Sequence, residues 1–315
     1  MARATPLASR LKALAAAALL GLVSAAANAD VPNPTTQITQ SGYSSLYLGV
    51  DTESATVPSN PATAGGAPTL SRAYVMRIDL WAPGISLEVT GHSGPLMTTA
   101  ETISQFAART GVRAAINANF FAPCCNATAE PKTVIGLLVS HGQVVSPLTN
   151  DPTQSEAVLA VTRTKRAYIR NATQISAQDL KQIDSAVSGS AILVQNGQDV
   201  SAQSPNEGDP LNPNPRTLAG LSNDGRFLYF VTIDGRVPGY STGTTNAQSA
   251  QLMLAIGATD AINLDGGGST ELVRADQIGT PFIVNTPSGG AERFDASAIG
   301  VHALKLPLSG SGFPF

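Results

Sequence analysis

The chain has 315 residues, of which 13% are charged and 29 are glycine, and its formal net charge is −3. This charge excludes binding to nucleic acid through a basic face, which needs an excess of Lys and Arg. The length allows one large domain or two small ones, with a sizeable buried core.

Residues 1–29 have the layout of a secretory signal peptide. A basic start with three cations precedes an apolar stretch from about 14 to 23, and small residues at 27–29 form a cleavage site before Asp30. The apolar stretch is too short to span a bilayer comfortably. We therefore expect a periplasmic or secreted protein without a stable membrane anchor after cleavage. Loss of the three cations changes the net charge from −3 to −6.

We predict an N-terminal extension and linker over residues 30–69, because residues 51–69 are rich in turn-forming residues. A main domain over 70–307 and a flexible tail over 308–315 follow. Strands and helices mix in the domain without strict alternation. The predicted fold class is therefore α/β, with mixed β-sheets flanked by a few helices in a single main domain.

The elements predicted in the domain follow from hydrophobic periodicity, caps and turn residues. They are two strands over 72–91 joined by a turn at Pro83-Gly84, a helix over 97–110 capped by Thr98 or Thr99 and ended by Gly111, a buried strand in 112–121, a hairpin over 136–147 turning at His141-Gly142, one or two strands over 156–170, a short helix in 176–184, two strands over 216–236, a helix over 246–258 and a last strand in 295–306.

The two cysteines, Cys124 and Cys125, are adjacent in the sequence. Neighbouring Cα atoms lie about 3.8 Å apart across a trans peptide, so ordinary disulfide geometry is excluded. In an oxidising compartment they could close a strained vicinal ring, stay as thiols or pair between chains. We favour the vicinal ring, which would form a rigid apolar rim beside the candidate site. Two cysteines are too few for a four-Cys zinc site.

The stretch "INLDGGGSTELV", 262–273, has an aspartate at the end of an apolar run and then three glycines. A dinucleotide fingerprint would need glycine at Glu271, and a phosphate-binding P-loop would need a lysine. Two interpretations remain. The glycines either form a bend between strands, or bring backbone N–H groups against an anion.

A serine hydrolase is the second candidate. "GYSTG", 239–243, fits the nucleophile-elbow pattern around Ser241, and Asp265 and His302 follow in the hydrolase order. An elbow places its serine directly between a strand and a helix, whereas the preceding strand is predicted to end near Ile233, eight residues before Ser241. The pattern is short, and we do not favour it.

A third candidate is a constellation of polar residues at predicted strand ends, where scaffolds display their site residues. Two carboxylates can perform glycosidic chemistry, and two arginines can bind a phosphate. The alternative is that each aspartate caps a turn and each arginine forms a surface ion pair. The members are Asn117, Asn119, Arg216, Asp234, Arg236, Asn263 and Asp265.

The ordered motifs "NANFF", "NPRTLAGL", "IDGR" and "NLDGGGS" resemble the phosphodiester glycosidase family, and the resemblance covers about residues 70–305. It implies an enzyme that hydrolyses a sugar 1-phosphodiester at the sugar C1–O bond, with a phosphate-linked carbohydrate as its substrate. These residues establish no cofactor and leave the metal requirement open, and a divalent cation such as calcium is compatible with them. A carbohydrate-binding protein without activity is the alternative on the same fold.

The resemblance also implies roles for particular residues. Asp265 or Asp234 would act at the sugar carbon as nucleophile or base, while Arg216, Arg236 and the amides of Gly266, Gly267 and Gly268 would stabilise the departing phosphate. Further positions that match the family motifs are Asn117, Phe121, Asn263 and Ser269.

Overall fold

The structure is a computed structural model that describes residues 37–58, 70–125, 128–149, 151, 153–203 and 211–307. The predicted signal peptide, part of the predicted linker (59–69) and the predicted tail lie outside the described residues. The described residues all belong to one unit of the chain, Thr35–Phe315. The fold class is confirmed: β-sheets predominate and a few helices flank them.

The largest sheet has nine strands, and all neighbouring strands in it are antiparallel. Its order is β1-β3-β4-β18-β17-β19-β15-β16, and β2 pairs with β3. The strands are β1 (Thr39–Gln40), β2 (Ser44–Tyr47), β3 (Val50–Pro58), β4 (Leu70–Asp79), β15 (Ala191–Gln195), β16 (Gln198–Asp199), β17 (Arg216–Leu221), β18 (Phe227–Ile233) and β19 (Asp260–Asn263).

Strand β3 corrects the predicted linker, because residues 51–58 lie within a sheet rather than in a loop. The strand pairs with β4 along its whole length, from Val50 opposite Ile78 to Pro58 opposite Leu70. Its buried side chains include Val50, Ala55 and Val57. Glu53, Ala55 and Val57 follow the two-residue period of a strand, whereas Val50 packs in the cluster on the other face of the sheet.

Two five-stranded sheets and a three-stranded sheet complete the β-structure of the described residues. One five-stranded sheet has the order β11-β10-β14-β12-β13, the other β21-β20-β7-β22-β5, and the small sheet β6-β9-β8. These strands are β5 (Ser86–Val89), β6 (Thr98–Thr99), β7 (Ala114–Asn117), β8 (Phe121–Ala122), β9 (Pro131–Val134), β10 (Leu138–Ser140), β11 (Gln143–Ser146), β12 (Ala157–Thr162), β13 (Ala167–Asn171), β14 (Ile183–Gly189), β20 (Leu272–Ala275), β21 (Pro281–Ile283) and β22 (Ala298–His302).

Three α-helices lie within the described residues, and each begins with a capping box. Helix α1 (Ile103–Thr110) begins at Thr102, whose side chain pairs reciprocally with Gln105. The predicted start at Thr98 or Thr99 is therefore wrong, because those residues form β6. Gly111 ends the helix in the left-handed conformation, as predicted. The others are α2 (Ala177–Leu180) and α3 (Asn246–Ala255).

The core lies on both faces of β17 and β18, which explains why both strands are buried almost throughout. Ala219 and Phe230 face a cluster shared with the other sheets. Leu218 and Val231 face a second cluster that α3 covers. The alternation follows the period of a strand buried on both sides. No helix among the described residues is long and apolar enough to cross a membrane.

Candidate active site

Three strand ends meet at one edge of the fold. Asn117 ends β7, Arg216 begins β17 and Asn263 ends β19. The chain that follows β19 is tied to β7, because the backbone N–H of Asp265 donates to the Ala118 carbonyl at 2.9 Å and the Asn117 amide donates to the Asp265 carbonyl at 2.6 Å. These bonds fix the start of the glycine-rich loop.

A cleft of about 500 Å³ opens at this edge, within the usual range of ligand sites. It brings together most of the residues that the sequence singled out, and adds several that it did not. The lining residues are Phe120, Cys125, Thr153, Gln154, Asn214, Pro215, Arg216, Arg236, Asn263, Asp265, Gly266, Gly267, Gly268 and Arg293.

Asp265 is the one carboxylate among the described residues that line the cleft, and it is 9% exposed. Burial raises the pKa of Asp265 to about 6, while the Ser269 hydroxyl, the Arg293 charge and the Gly266 N–H act against this rise. The carboxyl is therefore ionised at neutral pH and can still accept a proton near that pH.

Three guanidinium groups surround the cleft. Arg216 is 5% exposed and its Nε donates to the Thr244 carbonyl at 3.1 Å. Arg236 donates Nε and Nη2 to Oδ1 of Asn214 at 3.1 and 2.8 Å. Arg293 donates Nη1 to the Ser269 hydroxyl at 3.2 Å. These bonds orient three cations, which suit a phosphate group.

Arg293 was missed by sequence reasoning. It lies in the stretch "GGAERFD", between the glycine-rich loop and the last strand, and no motif spacing marks it. Its charge lowers the pKa of Asp265 against the effect of burial, so it acts directly on the cleft carboxyl. The sequence marked Arg293 only by its charge and by its position in a segment that resembles the family.

The three glycines allow neighbouring groups to approach the loop closely, and at Gly266 the neighbour is backbone. A Cβ on Gly266 would lie 2.8 Å from the Pro215 carbonyl oxygen, one on Gly267 3.1 Å from Nη1 of Arg236, and one on Gly268 only 1.9 Å from Nη2 of Arg293. Gly267 also has a φ of +61°, which disfavours other residues. The glycines thus let two guanidinium groups rest on the loop backbone.

The predicted role of the loop amides needs a correction at Gly267. Its N–H donates to the Pro215 carbonyl at 2.9 Å, so it is committed within the protein rather than directed at an anion. The three guanidinium groups are therefore better placed than the Gly267 amide to bind an anion in the cleft.

Asp234 differs from its predicted place. It is fully buried and does not line the cleft. Its Oδ1 accepts the Thr286 N–H at 2.9 Å and the Asn285 amide at 3.1 Å, and burial raises its pKa. Asp234 therefore anchors the segment around residue 285 to the end of β18, and the geometry does not support it as a second carboxylate at the substrate.

Several other predicted site residues support the cleft from behind. The Asn119 amide donates to the carbonyls of Ile135 and Leu137 at 3.0 and 3.1 Å, which makes it a loop anchor. Phe121 is buried in the main core cluster. Ser269 is fully buried and bonds Arg293 as described above. Asn263 lines the cleft, and its amide donates to the Ser190 hydroxyl at 3.0 Å.

The serine hydrolase arrangement is not formed. The Ser241 hydroxyl donates to the Asp234 carbonyl at 2.6 Å and accepts the Arg72 N–H at 3.0 Å, so this buried hydroxyl holds the loop after β18 against β4. His302 instead lies 3.6 Å from a carboxylate oxygen of Glu88. Neither residue lines the cleft that contains Asp265.

Further carboxyl groups lie beside the cleft but do not line it, and sequence reasoning missed them. Burial and a hydrogen bond with Glu292 raise the pKa of Glu271 to about 10, so Glu271 is protonated at neutral pH. Burial, together with the charge of Asp265, holds the pKa of Asp295 well above its usual range. Both shifts favour the uncharged forms of these carboxyls, and a protonated group does not repel the Asp265 carboxylate.

Cys124 and Cys125 form a disulfide bond with each other, as favoured from the sequence. Cys125 lines the cleft together with Phe120. Lys132 stabilises the chain before the two cysteines, because its side chain is fully buried and its Nζ donates to the Pro123 carbonyl at 2.9 Å. An apolar wall therefore borders the cleft.

A metal site is not evident in the part of the chain that the structure describes. No group of three or more His, Cys, Asp and Glu side chains there is arranged to hold an ion. The cleft itself offers one carboxylate among its lining residues. The described lining residues therefore do not form a calcium site.

Comparison with known proteins adds the family. The family model of the phosphodiester glycosidases matches residues 110–302. A search of curated protein sequences found no match.

In structure, the chain is similar to the catalytic domain of zebrafish N-acetylglucosamine-1-phosphodiester alpha-N-acetylglucosaminidase, auto-inhibited by its pro-peptide, at 17% identity and a TM-score of 0.59, covering 84% of this chain and 87% of that one. The chain is also similar to a Burkholderia pseudomallei protein described as exported, at 16% identity and a TM-score of 0.59, covering 84% of this chain and 97% of that one. It is similar as well to a hypothetical protein from Synechocystis, at 18% identity and a TM-score of 0.53, covering 81% of this chain and 62% of that one. The TM-scores show a shared fold, and the identities are too low to show more than that. Since the family model covers more than half of the sequence, the chain belongs to the phosphodiester glycosidase family.

Proposed function

We propose that the protein is an exported hydrolase that cleaves a sugar 1-phosphodiester at the sugar C1–O bond, releasing free sugar and a phosphomonoester. One observation carries the proposal: Asp265, a buried carboxylate and the one carboxylate among the described lining residues, shares a cleft with Arg216, Arg236 and Arg293. A phosphate-linked sugar presents an electrophilic carbon beside an anion, and this cleft offers a carboxylate and cations to the two parts.

The arginines serve the phosphate. As the C1–O bond breaks, its electron pair moves to the phosphate oxygen, so the negative charge on the phosphate grows. Guanidinium groups already held in place by Thr244, Asn214 and Ser269 stabilise that charge without reorganisation. A phosphomonoester is a good leaving group, so a second carboxylate acting as general acid is not needed. This agrees with the position of Asp234 outside the cleft.

Asp265 serves the sugar carbon. Its ionised oxygen either attacks C1 directly or accepts a proton from the water that does so, and in both cases it also stabilises the positive charge that develops on the sugar ring. Because its pKa is about 6, activity should rise as the pH increases through that value. The carbonyl of Asp265 is fixed by Asn117, which limits its motion during the reaction.

The relatives support the substrate class and the location. The zebrafish structure is named for action on an N-acetylglucosamine 1-phosphodiester, and the Burkholderia protein is described as exported. The signal-peptide layout of residues 1–29 agrees with export. We take N-acetylglucosamine 1-phosphate diesters as the first substrates to test.

The test uses the methyl diester of N-acetylglucosamine 1-phosphate and measures release of reducing sugar. Asp265→Asn should lower kcat by orders of magnitude, and Arg216→Ala should cost about 2–5 kcal/mol in kcat/KM. Asp276→Asn, in an exposed turn, is the matched control and should keep the wild-type rate. If wild type binds the diester without cleaving it, the protein is a carbohydrate-binding relative. Equal rates in all variants would place the active site elsewhere.

A further inference from the structure

A second hollow of about 470 Å³ lies at the other end of the strands that form the cleft. Strand β17 begins at Arg216 in the cleft and ends at Leu221 in this hollow, which separates the two by roughly 17 Å along the strand. Its walls come from the β4–β5 turn, the β12–β13 turn and the β17–β18 turn. We call it the Trp81 groove, lined by Trp81, Thr164, Lys165, Arg166, Ala167, Tyr168, Ile169, Leu221, Ser222, Asn223, Asp224, Gly225 and Asp260.

Trp81 is the single tryptophan of the chain, and it is 57% exposed. Its turn is rigid, because its backbone N–H donates to Asp79 Oδ1 at 3.0 Å and Asp79 forms a two-bond ion pair with Arg226 at 3.0 and 2.6 Å. The Arg226 guanidinium also lies 5.6 Å from the centre of the indole ring. The indole ring of Trp81 is thus held in one place while much of its surface is exposed to solvent.

The facing wall is polar and is also held in place. Gly225 lets the β17–β18 turn approach the backbone of Ala167, since a Cβ there would lie 3.1 Å from the Ala167 carbonyl and its φ is +67°. Asp224 in this turn accepts the Ser222 hydroxyl at 2.6 Å. Among the described residues, the exposed side chains of Arg166 and Asn223 have no hydrogen-bond partner, so they are available to a ligand.

The geometry points to a glycan-binding groove in which a sugar ring of the phosphate-linked carbohydrate stacks on Trp81. A pyranose presents C–H groups on its faces, which suit the negative face of an indole, and hydroxyls at its edge, which suit carboxylate and amide groups. Arg166 adds a cation for a phosphate in the chain. This inference rests on the proposed function for the kind of glycan, and it adds a subsite that holds a polymer away from the cleft.

The single tryptophan makes the groove directly observable, because all indole fluorescence comes from Trp81. The experiment titrates Asp265→Asn protein, in which the polymer is not consumed, with poly(N-acetylglucosamine 1-phosphate) and separately with neutral chitotetraose. We expect a saturable fluorescence change with the polymer, weakened in Arg166→Ala and Asn223→Ala proteins. Failure of both glycans to change the fluorescence, as expected for a groove that takes a protein instead, would overturn the inference. A fluorescence change of wild-type size in both the Arg166→Ala and the Asn223→Ala proteins would also overturn the inference.

Kinetics separate this inference from the proposed function. Trp81→Ala in the active enzyme should raise KM for the polymer roughly 2- to 10-fold, the effect of losing one aromatic contact, and leave kcat/KM for the small methyl diester unchanged. If the polymer KM is also unchanged, the groove does not hold substrate. If wild type hydrolyses neither compound while the fluorescence still titrates, the proposed reaction fails and the groove stands.

Discussion

Asp265→Asn should make the protein more stable at neutral pH, besides lowering its activity. Burial raises the pKa of Asp265 from 3.8 to about 6, so the folded state binds its proton more tightly than the unfolded chain does. Wild-type stability should therefore fall as the pH rises from about 4 to about 6, where the carboxyl must ionise inside the protein. A difference of about two pKa units corresponds to about 3 kcal/mol.

The assay is urea unfolding of both proteins across the range from about pH 4 to about pH 8. The stability of Asp265→Asn relative to wild type should grow by about 3 kcal/mol up to about pH 7 and then stay constant. Any effect of the amide that does not depend on pH cancels in this difference. A relative stability that does not change with pH would refute the burial of Asp265 described here.

Asp276→Asn is a control, because the fold lowers the pKa of Asp276 and the pH dependence of stability should therefore have the opposite sign. Backbone N–H groups of Thr280, Gly279 and Ile278 donate to the Asp276 carboxylate at 2.8 to 2.9 Å and hold its pKa below the usual range. Ionised Asp276 therefore adds stability above the pKa of the unfolded chain, and its variant should lose stability relative to wild type as the pH rises from about 3 to about 5.

Three further predictions concern the surroundings of the cleft. Arg293→Met should raise the pKa of Asp265, because it removes a cation that lowers this pKa, and should move the acidic limb of the kcat/KM profile to higher pH; a limb at the wild-type pH would show that Arg293 does not act on Asp265. Ser241→Ala should keep kcat but lower the unfolding free energy by about 1–3 kcal/mol, since it leaves the buried Asp234 carbonyl without its donor and the part-buried Arg72 N–H without its acceptor. Intact-peptide mass analysis without reductant should show a loss of about two daltons for Cys124 and Cys125, as expected for a disulfide, and two free thiols in freshly exported protein would contradict it.

The sequence was sufficient where one local pattern decided the outcome. Gly111 ends α1, and the turn at His141-Gly142 joins β10 to β11, because each position has the left-handed backbone that glycine and turn residues allow. The polar residues at the ends of β7, β17 and β19 did mark the edge where the cleft forms. Strand β3 was missed because its turn-rich composition obscured a two-residue period of buried side chains.

The rest depended on contacts between distant segments. The direction of the Asp234 side chain follows from Asn285 and Thr286, which reach it from a loop some fifty residues later. Arg293 enters the cleft because Gly268 leaves room for it, and neither residue alone signals this. Sequence patterns therefore located the edge of the fold where the candidate site lies, while the finding that Asp265 lines the cleft and Asp234 does not needed the tertiary structure.

The most direct test of the proposed reaction is hydrolysis of the methyl diester of N-acetylglucosamine 1-phosphate in oxygen-18 water. In the proposed reaction Asp265, the one carboxylate among the described residues that line the cleft, acts at the sugar carbon, and Arg216, Arg236 and Arg293 stabilise the charge on the phosphate. The label should therefore appear on the anomeric oxygen of the released sugar, and the methyl phosphate should carry none. Label in the phosphate would mean that the P–O bond breaks, and would contradict the proposed mechanism.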